Sequence, residues 1–213
     1  METDIIKRLS QYKKILQKLQ SLGLVRVFSD NLSDALGISS SLVRKDFAAC
    51  NITGKRRGGY VVEELLDRLN TLLGKDKEQQ IIIVGCGKLG SALINHKGFA
   101  SEQIRVSAGF DIDPERIAPH APIPIYSLEK LTDYIKENNI QVAVLTVPEE
   151  ATREMVDLLR ENGIQGILNF AAVPIKPTPD CNIQNVNLAL EVEKLFYMIV
   201  AARDNDNTEG PTA

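Results

Sequence analysis

Apolar residues along this chain change their spacing twice. From residue 4 to about residue 22, Ile5, Ile6, Leu9, Tyr12, Ile15, Leu16, Leu19 and Leu22 recur every three or four positions, which predicts a helix with one buried face, closed by Gly23. Ser29-Asp30-Asn31 then offers N-cap side chains to a short helix, Leu32–Leu36, that stops at Gly37, and a second helix runs from Ser40 to Cys50. A short helix, a glycine turn and a serine-capped helix make a helix-turn-helix pattern. Asn51–Tyr60 sets three successive cations between glycines, as the hairpin wing of a winged helix would. Glu63–Leu73 reads as a further helix stopped by Gly74, and the polar run Lys75–Gln80 reads as a linker.

Beyond the linker the helical spacing gives way to short apolar runs alternating with helical segments. The expected order is strand 81–84, helix 88–97, strand 104–110, a Pro-rich connection 114–124, helix 127–138, strand 140–147, helix 149–161 and strand 166–170. Such alternation predicts a parallel, doubly wound α/β sheet. Pro174, Pro177 and Pro179 then interrupt regular structure. Residues 188–200 are apolar around the whole helix circumference, which suits burial in a subunit partner better than a monomer surface. The polar residues 204–213 are expected to be disordered. The expected organisation is thus a DNA-binding domain at 1–76, a nucleotide-binding domain at 77–186, a dimerisation helix at 187–203 and the tail.

Charge sharpens that division. The chain has 213 residues and a net charge of −3, yet residues 1–75 carry 13 Lys+Arg against 8 Asp+Glu while residues 76–213 carry 12 against 20. A basic head on an acidic body suggests that only the head meets a polyanion. Three widely spaced cysteines, Cys50, Cys86 and Cys181, without a Cys-x-x-Cys pair argue against a disulfide framework or a zinc site, and no metal is expected. No apolar run reaches the ~18 residues of a membrane span, and the polar start is unlike a signal peptide, so a cytoplasmic protein is expected.

Two stretches carry candidate chemistry. In the helix-turn-helix, Leu42, Val43 and Phe47 can pack inward while Ser40, Ser41, Arg44 and Lys45 face outward at the end of the helix that enters a major groove. Arg44 suits a guanine edge and Lys45 a phosphate, and Lys55, Arg56, Arg57 and Tyr60 on the wing would hold the DNA backbone or reach a minor groove. The same cations could form a plain solvated surface; their clustering on the two elements that a winged helix presents favours DNA.

The second stretch is Ile81-Ile82-Ile83-Val84-Gly85-Cys86-Gly87-Lys88-Leu89-Gly90, a buried strand running into a Gly-x-Gly-x-x-Gly turn and a helix. Gly85 allows a sharp turn, Gly87 lets bare backbone approach a pyrophosphate and Gly90 lets the helix lie close on the strand. Asp111 stands at the end of the next strand, where an acid accepts hydrogen bonds from an adenosine ribose and disfavours a 2′-phosphate; NAD(H) is therefore expected, with Asp111 ahead of Asp113. Thr146, Val147 and Pro148 end a strand at the edge where such sheets bind ligands. Asn169 and Phe170 do the same, although Asn169 could equally form a local turn. Cys86 reads as a small residue tolerated against the backbone rather than a reactive thiol.

With these parts in place the chain resembles the Rex family of redox-sensing transcriptional repressors over residues 5–203. The matching motifs are Val43-Arg44-Lys45-Asp46-Phe47, Gly85–Gly90, Ala108-Gly109-Phe110-Asp111-Ile112-Asp113-Pro114, Ala143-Val144-Leu145-Thr146-Val147-Pro148 and Gly166-Ile167-Leu168-Asn169-Phe170. The resemblance implies a homodimer with a domain-swapped C-terminal helix that reads a palindromic operator. It also implies that NADH favours a closed dimer that releases DNA, whereas NAD⁺ competes for the site without that effect. At three positions where the family usually has an arginine, a tyrosine and an acid that form a switching latch, this chain has Lys14, His96 and Asn187. Ala48, Ala49 and Cys50 stand where larger aromatics are common, and Lys55-Arg56-Arg57-Gly58-Gly59 replaces a usual Arg-Arg-Gly-x-Gly.

Two other readings stay open on sequence alone. A paralogue that binds NAD(H) but has altered or lost DNA binding or redox response is motivated by those departures. An NAD-dependent oxidoreductase would need an acid/base group near the nicotinamide. The only histidines, His96 and His120, belong to no recognisable constellation, so no catalytic residue is assigned.

Overall fold

The computed structural model describes residues 3–55 and 58–208, and the chain divides into two compact units at Gln79/Gln80. The first unit contains α1 (Thr3–Ser21), β1 (Arg26–Val27), α2 (Ser29–Leu36), α3 (Ser40–Ala49), β2 (Tyr60–Val61) and α4 (Val62–Leu72). The apolar stripe of α1 delivers Leu9, Tyr12 and Leu16 to a core completed by Leu32, Val43, Phe47, Leu65 and Leu69. Gly37 adopts a left-handed conformation (φ 65°), turning the chain from α2 into α3. Ser39 caps α3, its hydroxyl accepting from the Leu42 amide at 3.2 Å. β1, before α2, pairs antiparallel with β2, before α4, and a single bridge from Lys55 to Gly59 closes a tight hairpin turn ahead of β2. The expectations for Arg56 and Arg57 lie outside the described residues.

The second unit is a six-stranded sheet of β3 (Gln79–Val84), β4 (Ile104–Asp111), β5 (Ile125–Ser127), β6 (Val142–Leu145), β7 (Gly166–Asn169) and β8 (Asn182–Asn185), in the order β5-β4-β3-β6-β7-β8. Helices α5 (Lys88–Ile94), α6 (Lys97–Ser101), α7 (Leu131–Glu137) and α8 (Glu149–Glu161) connect its strands. Strand order reverses between β3 and β6, which pair in parallel from Ile81↔Val142 to Val84↔Leu145. That reversal opens a crevice at the carboxyl ends of these two strands, the place where doubly wound sheets bind ligands. Residues such as Ile82, Ala108, Leu145 and Ile167 pack one core cluster with α7 and α8, and Ile81, Ile83, Val106 and Val144 pack another.

Several boundaries differ from the sequence expectation. β3 begins at Gln79, inside the expected linker. The expected helix 88–97 is two pieces, α5 and α6, because Asn95 ends the first and His96 starts the second. β5 and β8 have no strand signal of their own: β5 follows a Pro-rich connection, and β8 is mostly polar, being an exposed edge strand. The last helix, α9 (Leu188–Thr208), continues past Arg203, into the segment expected to be disordered.

Candidate functional site

A cavity of about 540 Å³ opens at the crevice between β3 and β6. Its walls include Gly85 and Gly87 from the glycine turn, Asp111 and Asp113 after β4, and Thr146, Val147 and Pro148 after β6. Six of the twelve residues expected at the cofactor site therefore share one space, with Asp113, the second choice for the ribose, beside them. The other six are not among the residues that line it. Cys86 is buried with its Sγ 3.6 Å from the Phe110 carbonyl oxygen, while Lys88 and Leu89 are exposed on α5. Gly90 is buried against the turn, and Phe170 packs on the Ile81–Ile83 side of the sheet. Asn169 is fully buried, donating to the Val173 carbonyl at 2.8 Å and to Asn185 Oδ1 at 2.8 Å and accepting from the Ala171 amide at 3.0 Å. Of its two readings, the local turn former is the one these bonds match.

The three glycines of the turn are required for different reasons. Gly85 has φ +91°, and a Cβ there would lie 2.7 Å from the Thr146 carbonyl oxygen. At Gly90 a Cβ would overlap the Gly85 carbonyl oxygen. Both are needed by the fold. Gly87 has φ −64° and ψ −163°, open to any residue, and among the described residues, its chain neighbours aside, the one atom within 4 Å of a Cβ there is Arg116 Nη1 at 3.7 Å. The fold could hold a side chain at this position, so bare backbone facing the cavity is space left for something outside the chain. The Thr146 hydroxyl, by contrast, serves the fold by donating to the Gly85 carbonyl.

Asp111 is the buried charge at the cavity wall. Its Oδ2 accepts from the Cys86 amide at 2.6 Å and from Arg116 Nη1 at 3.2 Å, and its Oδ1 accepts from the Asp113 amide at 2.9 Å. Burial opposes its ionisation, but the two amides and the guanidinium outweigh burial and hold the carboxyl below its ordinary range. The same burial, reinforced by the Asp111 charge, pushes the Cys86 thiol up to about 11, so it is not a reactive thiolate at neutral pH. Arg116, Leu128, Ala151 and Met155 also line the cavity and were not expected from sequence. Arg116 had a signal: it lies one short turn beyond Asp113-Pro114, whose 3-10 turn (Pro114–Arg116) swings it back toward Asp111.

In the first unit Arg44, Lys45 and Ser41 are exposed on α3, Ser40 is half-buried and Lys55 is exposed on the hairpin. Leu42, expected inward, is only half-buried; the inward positions are Val43, Asp46, Phe47 and Cys50, one helical face. Asp46 accepts from Arg8 Nε at 2.6 Å, from Arg8 Nη2 at 2.8 Å and from the Tyr12 hydroxyl at 2.8 Å. A three-bonded carboxylate thus fixes the rotation of α3 on α1 and leaves the two residues before it, Arg44 and Lys45, turned outward. Tyr60 packs edge-on against Phe47 at 5.1 Å, and Arg26 Nη1 braces the hairpin by donating to the Gly58 carbonyl at 2.6 Å.

The latch positions hold different chemistry. Asn187 caps α9, its Oδ1 accepting from the Leu190 amide at 3.1 Å. His96 is exposed, its ring edge-on to Phe99 at 5.3 Å, and Lys14 is exposed on α1. Among the described residues, no group of three or more His, Cys, Asp or Glu side chains is placed to hold a metal ion, and no helix is long and apolar enough to cross a membrane.

Comparison with known proteins places both units. Residues 3–48 match a family described as a putative DNA-binding protein N-terminus, and residues 76–173 match the CoA binding domain family. The redox-sensing transcriptional repressor Rex of Leuconostoc citreum is 38% identical over 91% of this chain and 90% of its own. Rex 1 of Enterococcus faecalis is 37% identical over the same shares. Among solved structures, RSP in complex with β-NAD⁺ and operator DNA superposes with a TM-score of 0.87 at 29% identity, covering 100% of this chain and 99% of that one. RSP in complex with β-NADH gives 0.78 at 28% identity, covering 98% of each. With more than a third of its residues shared over nine-tenths of its length, the chain belongs to the Rex family of redox-sensing transcriptional repressors.

Proposed function

We propose that the chain is a homodimeric repressor that binds a palindromic operator through α3 and its hairpin and takes NAD(H) into the cavity at Gly87, with NADH releasing the DNA. The observation that carries the cofactor reading is Gly87, a glycine that the fold does not need and a pyrophosphate does. Asp111 beside it offers an ionised acceptor to the adenosine ribose. Solved relatives bound to β-NAD⁺ with operator DNA and to β-NADH support the same pairing of ligands.

Dimerisation follows from α9. From Leu188 to Val200 the helix exposes every large apolar side chain, Phe196 at 65% and Tyr197 at 75% among them. An apolar surface of that extent requires a cover, and a second copy of the chain supplies one. Two copies of α3 would then read two half-sites. Such a regulator works in the cytoplasm, where its DNA and the NAD(H) pool meet.

For NADH to release DNA it must bind the non-binding conformation of the dimer more tightly than the DNA-bound one; equal affinity would shift nothing. The test is fluorescence anisotropy of the protein on DNA from its own promoter at fixed salt, with NADH and NAD⁺ titrated separately. Release by NADH alone is the expected result. Tight DNA binding that ignores both cofactors would favour the second reading, a paralogue with a rewritten latch. That reading has its own observation, because Asn187 carries no charge and its side-chain oxygen is already spent on capping α9.

A further inference from the structure

The adenosine end of the cavity holds a cation as well as acids. Arg116 donates to Asp111 Oδ2 at 3.2 Å and, through Nε, reaches Asp113 Oδ2 at 3.3 Å. Its side chain is 47% exposed, and Nη1 stands 3.7 Å from the Cβ that Gly87 lacks. The guanidinium therefore lies between the bare turn that suits the pyrophosphate and the acid that suits the ribose. Only part of its five-donor fork is used.

Asp111 is correspondingly occupied. Three hydrogen bonds from the protein fall on its two oxygens, of the about four that a carboxylate accepts. One position on Oδ1 remains for a ribose hydroxyl. Around the 2′ position the charges are two carboxylates and one guanidinium, so a 2′-phosphate meets net negative charge with its one potential partner tied up. In dinucleotide-binding sheets an arginine near the acid is what accommodates that phosphate.

We propose that Arg116 is a specificity-determining residue for the dinucleotide: a 2′-phosphate receptor held in reserve by Asp111 and Asp113, whose restraint makes the site prefer NADH to NADPH. The proposal rests on the dinucleotide reading of the cavity. Asp113 is the restraint that can be removed, since its side chain is 35% exposed whereas that of Asp111 is buried. Freeing the guanidinium would let it form charge-assisted, bidentate bonds to a phosphate.

The experiment measures dissociation constants of NADH and NADPH, from nicotinamide fluorescence, for the full-length chain and for Asp113→Asn, Arg116→Ala and the double variant. In Asp113→Asn the preference for NADH narrows by about tenfold, as one gained charged hydrogen bond implies. In the double variant that narrowing disappears, and in Arg116→Ala alone the preference widens. Narrowing that persists in the double variant would assign the effect to the lost Asp113 charge and overturn the proposal. So would an Asp113→Asn preference equal to the unaltered chain's, or equal losses of both cofactors in Arg116→Ala, which would make Arg116 a general phosphate contact. If no form bound NADH while circular dichroism showed all four folded, the dinucleotide reading itself would fall.

Discussion

Each unit of this protein buries an aspartate against an arginine, and the two pairs have different uses. Asp46 is 3% exposed and its partners are Arg8 and Tyr12, side chains of α1 that close over it. Asp111 is 5% exposed and two of its partners are backbone amides of turns, with Arg116 lying at the edge of a cavity. The chemistry of the pair is nearly the same; its surroundings decide the role. A carboxylate closed in by side chains fixes one helix on another, whereas one held by turn amides at a crevice keeps a face toward whatever enters. An ion pair alone is thus a poor sign of a binding site, and an adjoining glycine that the fold does not require is a better one.

The comparison breaks most visibly at Asp46. Removing Asp46 leaves the buried Tyr12 hydroxyl without its acceptor and Arg8, 23% exposed, without its partner, so Asp46→Ala should lower stability by about 1–3 kcal/mol, measured by urea denaturation. Operator binding should be lost with it while NADH binding persists; retention of both would mean that the pair does not set α3. Next in size, Arg44→Ala should cost about 1–3 kcal/mol of operator affinity and relax base preference at one position of each half-site. Lys45→Ala should instead weaken all sequences alike and reduce the salt slope by about one ion. If the two variants behaved alike, the division of α3 into a base-reading and a phosphate-holding residue would be wrong.

Gly87→Ala sharpens the other half of the comparison. A Cβ there meets no protein atom closer than 3.7 Å, so thermal stability should stay within a degree or two while NADH affinity falls by tenfold, ~1.4 kcal/mol. Gly90→Ala should destabilise the whole sheet unit, since its Cβ overlaps the Gly85 carbonyl. The smallest effect is on pH dependence. Both Asp46 and Asp111 titrate below their ordinary range when folded, so the stability they add is present above about pH 4 and is lost as pH falls through their folded values. Asp46→Asn should make the acid limb of stability shallower, which denaturation between pH 2 and 6 would show.

Much of this was legible in the sequence because it is local. Helical spacing over residues 5–22, the Gly-x-Gly-x-x-Gly after four β-branched or aliphatic residues, and Asp111 at a strand end each report chemistry within a few residues. The apolar circumference of α9 likewise announced a helix that a lone chain leaves exposed. Asp46 was half-legible: it shares a face with Val43, Phe47 and Cys50, and Arg8 and Tyr12 lie one turn apart on α1, but nothing in either segment says that they meet. β5 and β8 were missed because an edge strand lacks the continuous apolar run of a central one.

What the sequence determined by itself was the kind of each element and the chemistry it carries, since hydrophobic period and turn geometry are set by neighbours along the chain. What only the tertiary structure decided was which of those residues share a space. It brought Gly87, Asp111, Arg116 and Thr146 together across 60 residues, buried Cys86 and Asn169 in the sheet unit, and turned Arg44 outward by turning Asp46 in. Strand order and helix rotation fix those meetings through packing between distant segments, and one segment's sequence cannot state them.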